Sequence, residues 1–552
     1  MGVKKFMGNR EFSINKSNYS NLLVLGTVLI GMVIIFSCGV GSVSAKQADT
    51  VYVNSSGGND LSDGSSWLLA KKTIINAKDN VNSGGTLNLA NGKYVGDGNT
   101  NITIDKDLNI KGQSKTGSIL NGTGTNWIFE VYDGVHLSLT NLTLTNGSSD
   151  YFGGIYNSGS LTVTNCNFSN DHTTAVGSAG GAILNYGNLI INGSSFTGNT
   201  AASEAGAIFN SGKLYINNSI FTMNSAPNGG GAIFNENNGH YISITNSQFI
   251  KNTAAYGGVI YNGFGTVKVN NTLIVKSCSF LNNIATDDGG VITNYGVAIV
   301  KFNRFFGNTA TQGNVIYNGK TMNALFNWWG VNTGPSNKDI SNYGKMKKSL
   351  WLILYITAKP AIIGQGEYST VTADLTHDNN GVLQNEGMIP NGIPVQFIAK
   401  LGTLTTASGF INNGTAQAKL HAGNVVGIGS VSAIVNNQKS TVNTKIIDKT
   451  PQITSTNPNS DQRSISRTAI LNIKFSDKIK YSTNFNGLTV KNVKTGKTLT
   501  LARTITNNIL SIKTSLKTAN TWYRVTIPES AIKNINGYNL KSKYSYIFKT
   551  GA

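Results

Sequence analysis

The sequence predicts an all-β chain: a right-handed parallel β-helix followed by two β-sandwiches. Three observations carry this. One phrase, Gly-Gly, a small or branched residue, Ile, any residue, Asn, recurs at Gly180–Asn185, Ala205–Asn210, Gly230–Asn235, Gly257–Asn262 and Gly289–Asn294, with worn copies at Gly153–Asn157 and Gly313–Asn318. A second phrase, Phe-x-x-Asn, falls between the copies at Phe196, Phe221, Phe249, Phe280 and Phe305, with Phe168/Asp171 as its variant. Beyond the repeat, short alternating strands separated by Gly and Asn turns fill the chain to its end. The phrase-closing Asn residues stand 24 to 32 positions apart, too long for a hairpin and too short for a domain. Each unit must therefore bury its apolar face against the next, as in a solenoid.

Within each unit an aliphatic pair (Leu189/Ile191, Leu214/Ile216, Ile242/Ile244, Leu273/Val275) ends five residues before the motif Phe. Alternation places both members on one face. Stacking then gives three inward ladders, of Ile, of aliphatic pairs and of Phe, with coils about 4.8 Å apart. The repeated Asn fits a side-chain amide ladder, and the Gly pair fits a turn of positive φ.

In chain order, Lys4, Lys5, Arg10 and Lys16 precede an apolar run, Leu22–Phe36, and then Val43-Ser44-Ala45. Basic, apolar and small-residue regions in that order predict a secretory leader over 1–45, with a retained anchor or lipidation of Cys38 as alternatives. The mature chain is expected to lack a transmembrane segment unless that leader is retained. Residues 46–345 form the β-helix. Trp67 to Val81 is expected to make a short amphipathic helix with Leu68, Ile74, Ile75 and Val81 inward, covering the exposed edge of the first coil. At the other end, Asn327-Trp328-Trp329-Gly330 is expected to close the stack with at least one buried indole; the alternative is a sugar platform. Cys166 and Cys278 each lie two residues before a motif Phe, with Ser194, Ser219 and Ser247 in the same place between them. Four coils, about 19 Å, separate them. A disulfide needs Cα atoms within about 7 Å, so both thiols are expected buried and free.

Residues 348–447 read as one sandwich, with strands at Ser369–Leu375, Ile393–Phe397 and Ser430–Val435. Asp448-Lys449-Thr450-Pro451 links it to a second over 448–552, with strands at Leu471–Phe475 and Trp522–Ile527.

The paired phrases Gly-Gly-Ala-Ile and Phe-x-x-Asn resemble the repeats of the polymorphic outer-membrane protein family. The whole layout, including Asn327-Trp328-Trp329-Gly330, resembles the adhesin-like proteins of methanogenic archaea. The first sandwich looks like the invasin-type bacterial Ig-like domain, and the second is similar to the Ig-like domain of bacterial S-layer proteins. The resemblance implies a cell-surface protein and says more of architecture than of ligand.

Charge is split along the chain, whose net value is +20. Residues 49–330 carry 14 Lys plus Arg against 15 Asp plus Glu, whereas 331–552 carry 26 against 9. A basic region can hold nucleic acid, anionic lipid or anionic polymer. Export argues against nucleic acid, leaving an anionic envelope polymer as the expected partner, against the bland alternative of solvated lysines. Lys474, Lys478 and Lys480 are the candidate contacts, on one face if their strand persists.

No active site, metal set or cofactor fingerprint is legible. Glu204 and Asp288 share a place in the repeat but stand three coils apart, about 14 Å, beyond the roughly 5–9.5 Å of glycosidase carboxylates. His136, His172, His240, His377 and His421 form no spaced pair, and Gly427-Ile428-Gly429 lacks the rest of a nucleotide fingerprint. Variation between coils lies in loops, where binding residues are commonly carried. Glu236, Asn237, Asn238 and His240 on one coil, and Phe264, Lys268, Asn270 and Asn271 on the next, should adjoin and form the candidate recognition surface. The expected function is non-enzymatic attachment to cell-surface glycans or partner cells. A polysaccharide lyase or hydrolase and a purely structural envelope component are the rivals.

Overall fold

A computed structural model describes residues 47–237, 240–264 and 270–552. The expected leader lies outside the described residues, as do Asn238 and Lys268. The repeat folds as a parallel β-helix with three sheet faces, followed by two Ig-like sandwiches. The Ile-x-Asn segments build a ten-stranded sheet running from Ile102–Ile104 to Ile340–Asn342. The aliphatic pairs build a twelve-stranded sheet from Ala48–Val53 to Lys345–Lys347, and the Phe segments a nine-stranded one from Gly92–Tyr94 to Arg304–Phe306. Equivalent residues pair in register, as in Ile208 with Ile233, Leu214 with Ile242 and Phe221 with Phe249.

The core between these faces is the three expected ladders. Ile208, Ile233 and Ile260, and Leu214 and Ile242, are fully buried. The Phe rings stack nearly parallel, Phe196 on Phe221 at 4.6 Å and Phe249 on Phe280 at 5.0 Å between centroids. Polar ladders run beside the apolar ones. Each phrase Asn donates its Nδ2 to the Oδ1 of the next: Asn185 to Asn210 at 2.7 Å, Asn210 to Asn235 at 2.8 Å, and Asn235 to Asn262 at 2.8 Å. The Asn of Phe-x-x-Asn forms a second ladder, Asn199 to Asn224 at 3.0 Å and Asn224 to Asn252 at 2.9 Å. These bonds satisfy amides that burial would otherwise leave costly.

The first Gly of each phrase takes the left-handed backbone, with φ of 73° at Gly180 and 65° at Gly230; Ala205 adopts the same conformation at 61°. The second has no room for a side chain. A Cβ on Gly206 would lie 2.2 Å from the Gly231 carbonyl oxygen. Cys166 and Cys278 are buried and unpaired. Burial pushes the Cys166 thiol up to about 11 and that of Cys278 to about 12. Cys166 N–H donates to Ser194 Oγ and Ser194 N–H to Ser219 Oγ, so this inward place is itself a hydrogen-bonded ladder.

The ends depart from expectation. The N-terminal helix covers only Ile74–Asn80, and Leu68 is 92% exposed. Ile74 and Val81 are buried as expected, but Ile75 is exposed. Turn-forming Asp63-Gly64-Ser65-Ser66 lays the preceding stretch along the first strand, through Tyr52 N–H to the Gly64 carbonyl and Lys71 N–H to the Tyr52 carbonyl. Asp60 then fixes the helix start by accepting the Lys72 and Thr73 N–H groups.

At the other end one more partial coil, Ile340–Asn342 and Lys345–Lys347, follows the tryptophans. Trp329 (8% exposed) stacks under Phe305 at 5.0 Å and closes the apolar stack. Trp328 (0% exposed) belongs instead to the core of the first sandwich, its Nε1–H donating to Asn436 Oδ1 at 2.8 Å. Neither indole is a sugar platform.

The first sandwich packs a sheet of Leu352–Lys359, Tyr368–Asp378, Thr415–His421 and Thr403–Leu404 on a five-stranded one that includes Gly427–Val435 and Gln438–Ile447. Glu367 ties the two sandwiches together, accepting from Lys449 Nζ at 2.7 Å and from the Tyr538 hydroxyl. In the second sandwich the strand expected to carry all three candidate lysines does not persist. Lys474 lies on Leu471–Phe475 and Lys480 on Ile479–Tyr481, strands of different sheets. Local bonds between Ser476 and Asp477 and from Gln452 N–H to Ser476 Oγ break the strand there. All three lysines are exposed.

Candidate functional site

Within each Ile-x-Asn strand, Ile and Asn point inward and x points outward. The x positions are Tyr156, Leu184, Phe209, Phe234, Tyr261, Thr293 and Tyr317, aligned in register along the outside of the ten-stranded sheet. Six of the seven are apolar or aromatic; Leu184, Phe209, Phe234 and Tyr261 are buried in a second, smaller cluster outside the main core, Thr293 is buried beside them, and Tyr156 and Tyr317 are half-buried. Phe209 stacks on Phe234 at 5.3 Å and Phe234 on Tyr261 at 5.0 Å. Contacts of 6.0, 6.0 and 5.3 Å extend the line through Tyr295 and Tyr317 to Tyr343. Phe152, Tyr156 and Tyr186 extend it the other way. Leu184 fills the step between the two stretches. The strip spans seven coil intervals, about 34 Å.

Two rims flank the strip. On the side preceding each strand, bridges place Glu204, Gly229, Tyr256, Asp288 and Gln312 in file. A Cβ on Gly229 would lie 3.3 Å from the Tyr261 ring, so this place packs closely against the strip. Glu204 and Asp288 thus occupy one rim with Gly229 and Tyr256 between them, not a facing pair. Burial raises both carboxyls, Glu204 to about 7 with a further push from Glu236. Glu130, beside Tyr156 in register, is raised by burial too.

The other rim follows the strands and contains Tyr186, Glu236, Phe264 and Tyr295. Here the two loops expected to adjoin do so. Asn237 Oδ1 accepts the Phe264 N–H at 2.7 Å, and Asn271 bridges them by donating to the Glu236 carbonyl at 2.5 Å and accepting the His240 N–H at 3.2 Å. Asn271 is fully buried and Asn237 is engaged within the loops, so both act here as stitching, while Asn270 is exposed. Phe264 packs edge-on to Phe234 at 5.5 Å and joins the strip. Burial holds the His240 imidazole below its ordinary range, against the opposing pull of Glu236.

Beyond this rim the corner of the helix opens into a groove of about 520 Å³. Its floor is Gly159, Gly187 and Gly212, its walls include Asp107, Asp133, His136 and Lys213, and Tyr186 is shared with the strip. Tyr186 is 47% and Tyr256 39% exposed, so each offers a ring to solvent. Such rings bury the apolar face of a sugar, while adjoining carboxylates accept its hydroxyl hydrogens. The sequence hides the strip because x varies between copies of the phrase. Its signal was the run Phe209, Phe234, Tyr261 and Tyr317 at a position that alternation turns outward. Among the described residues no group of three or more His, Cys, Asp or Glu is placed to hold a metal ion, and no helix is long and apolar enough to cross a membrane.

Comparison with known proteins gives partial likenesses. A 59-residue stretch, 11% of the chain, is 44% identical to a transmembrane domain-containing protein of Dictyostelium discoideum; it spans 4% of that protein's length. Among solved structures, CopC from Methylosinus trichosporium is 12% identical with a TM-score of 0.15, over 18% of this chain and 93% of that one. The Escherichia coli adhesin FdeC is 12% identical with a TM-score of 0.22, over 39% and 69%. A C-terminal intimin fragment, solved with an intimin-binding domain of its receptor, is 14% identical with a TM-score of 0.19, over 35% and 62%. The family model that matches is that of a bacterial Ig-like domain, and it covers residues 447–550, the second sandwich.

Proposed function

We propose that this chain is an exported, adhesin-like surface protein whose β-helix binds glycan without cleaving it. The observation that carries the reading is the aromatic strip, in which exposed or half-buried rings, Tyr186, Tyr256, Tyr295, Tyr317 and Tyr343, lie around a buried cluster of Phe209, Phe234 and Tyr261. A linear glycan lying along the helix axis meets these accessible rings, while the buried rings behind them support Tyr256 and Tyr295. Glu204, Glu236 and Asp288 supply hydroxyl acceptors along the rims, with His240, Phe264 and Asn270 on the loops beside them. The basic C-terminal half holds the protein to an anionic envelope polymer. Neither partner is nucleic acid, and no cofactor takes part. The non-enzymatic reading is favoured because Glu204 and Asp288 share a rim with two coils between them.

The test is a screen of the full chain against immobilised glycans, followed by incubation of every bound polymer with the protein and measurement of chain length. Binding with unchanged chain length supports the proposal. Shortened polymer would make the protein a polysaccharide-degrading enzyme, and a blank array would leave the purely structural reading.

A further inference from the structure

The basic half of the chain carries one face on which charge and an aromatic ring are assembled together. In the second sandwich, Val490, Tyr523, Val525, Tyr546 and Phe548 are buried. Alternation therefore turns Lys491, Trp522, Arg524 and Lys549 outward on the three-stranded sheet of Thr489–Asn492, Trp522–Ile527 and Tyr544–Lys549. Register sets Lys491 directly opposite Arg524, and Trp522 opposite Lys549. Arg463 adds its guanidinium over the Trp522 ring, 5.5 Å from the centroid.

Like charges directly opposite on a sheet are destabilising, and among the described residues none of these four cations has a carboxylate within 4.0 Å. The nearby acid is Asp461, exposed at the edge where its N–H joins the Ile547 carbonyl, with its Oδ2 taken by Ser460 Oγ. The fold thus maintains an uncompensated cationic face around an indole. By contrast, Lys474, Lys478 and Lys480 are divided between two sheets and the turn that separates their strands.

We infer that this face, Arg463, Lys491, Trp522, Arg524 and Lys549, is a binding site for a linear anionic polysaccharide. The inference rests on the reading that the C-terminal half holds an anionic polymer, and it assigns that role to one surface. The four cations meet carboxylates on successive sugars, and the indole stacks on a sugar ring between them. An aromatic at the centre of the cations is what distinguishes a charged glycan from a purely electrostatic partner.

The test compares two variants of the full chain that each remove three exposed positive charges. One is Arg463→Gln/Lys491→Gln/Arg524→Gln; the other is Lys474→Gln/Lys478→Gln/Lys480→Gln. Unchanged thermal unfolding shows that both remain folded. Binding is measured to sodium polygalacturonate, with neutral dextran as the blank. The first variant is expected to lose at least about tenfold in affinity, as for three exposed charge contacts, and the second less than about threefold. Trp522→Leu, at constant charge, is expected to weaken binding several-fold.

Equal losses in the two triple variants, or no effect of Trp522→Leu, would overturn the site while leaving polyanion binding intact. Tighter binding to phosphatidylglycerol vesicles or to oligothymidylate than to polygalacturonate would also overturn it, in favour of a lipid or nucleic-acid surface. If the unmodified protein retains no polyanion at all, the envelope reading itself fails.

Discussion

Asp171→Asn should stabilise the β-helix, because Asp171 is the defective first rung of an amide ladder. In the regular rungs one Oδ1 accepts two donors: Asn224 Oδ1 takes the Asn199 N–H at 3.1 Å and Asn199 Nδ2 at 3.0 Å. Asn199 Oδ1 receives only the Asp171 N–H, at 3.0 Å. Asp171 is fully buried, its Oδ1 accepts the Gly147 N–H at 2.7 Å, and its Oδ2 has no hydrogen-bond partner. An amide there supplies the missing donor, worth about 1 kcal/mol, and removes an unsatisfied buried oxygen, worth about 1–3 kcal/mol. A net gain of about 1–3 kcal/mol is expected near neutral pH.

The gain must depend on pH. Burial raises the Asp171 carboxyl well above its ordinary range, so the folded state binds that proton more tightly than the unfolded chain. Stability then falls as pH rises from the ordinary carboxylate range through the raised value, and the asparagine variant lacks that slope. Glu204, raised to about 7, adds a slope of the same sign in both proteins, so the comparison is made pairwise at each pH. The assay is thermal unfolding of the full chain, following the β-helix transition. A midpoint for the variant at or below that of the unmodified protein at neutral pH would refute the ladder argument. So would an advantage that fails to shrink on acidification.

Two further outcomes follow from the core. Ile233→Asp places a carboxylate among fully buried aliphatics and should lower the helix transition by several kcal/mol; an unchanged midpoint would mean the inward face is misassigned. Cys166 and Cys278, buried and with raised thiol pKa, should label slowly with a thiol reagent until denaturant is added, and rapid labelling of the native chain would contradict their placement.

Much of this architecture was legible because stacking in register converts spacing into position. The Ile, aliphatic and Phe ladders, the Asn amides and the free thiols all follow from a period and an alternation, both visible in one dimension. What was not legible depends on local competition or on reading a variable position. The Trp67–Val81 helix shrank to about two turns because Gly64 and Asp60 offered the chain better bonds along the first strand. The lysine strand broke where Ser476 and Asp477 satisfy themselves and Gln452. Asn237 and Asn271 proved to be loop stitching, since a single sequence does not show which amide faces a neighbouring backbone. The aromatic strip lay in the one slot of the phrase whose residue varies from copy to copy, so its meaning emerged only once the rings stood in file.

The central claim is that this strip is the glycan-binding surface, and the direct measurement is glycan-array binding of the full chain beside its Tyr186→Ala/Tyr256→Ala variant. Both rings are partly exposed, lie on opposite rims and leave the buried ladders untouched. The account predicts that the unmodified protein retains a defined set of glycans and that the folded variant loses them. A variant that binds the same glycans undiminished would contradict it.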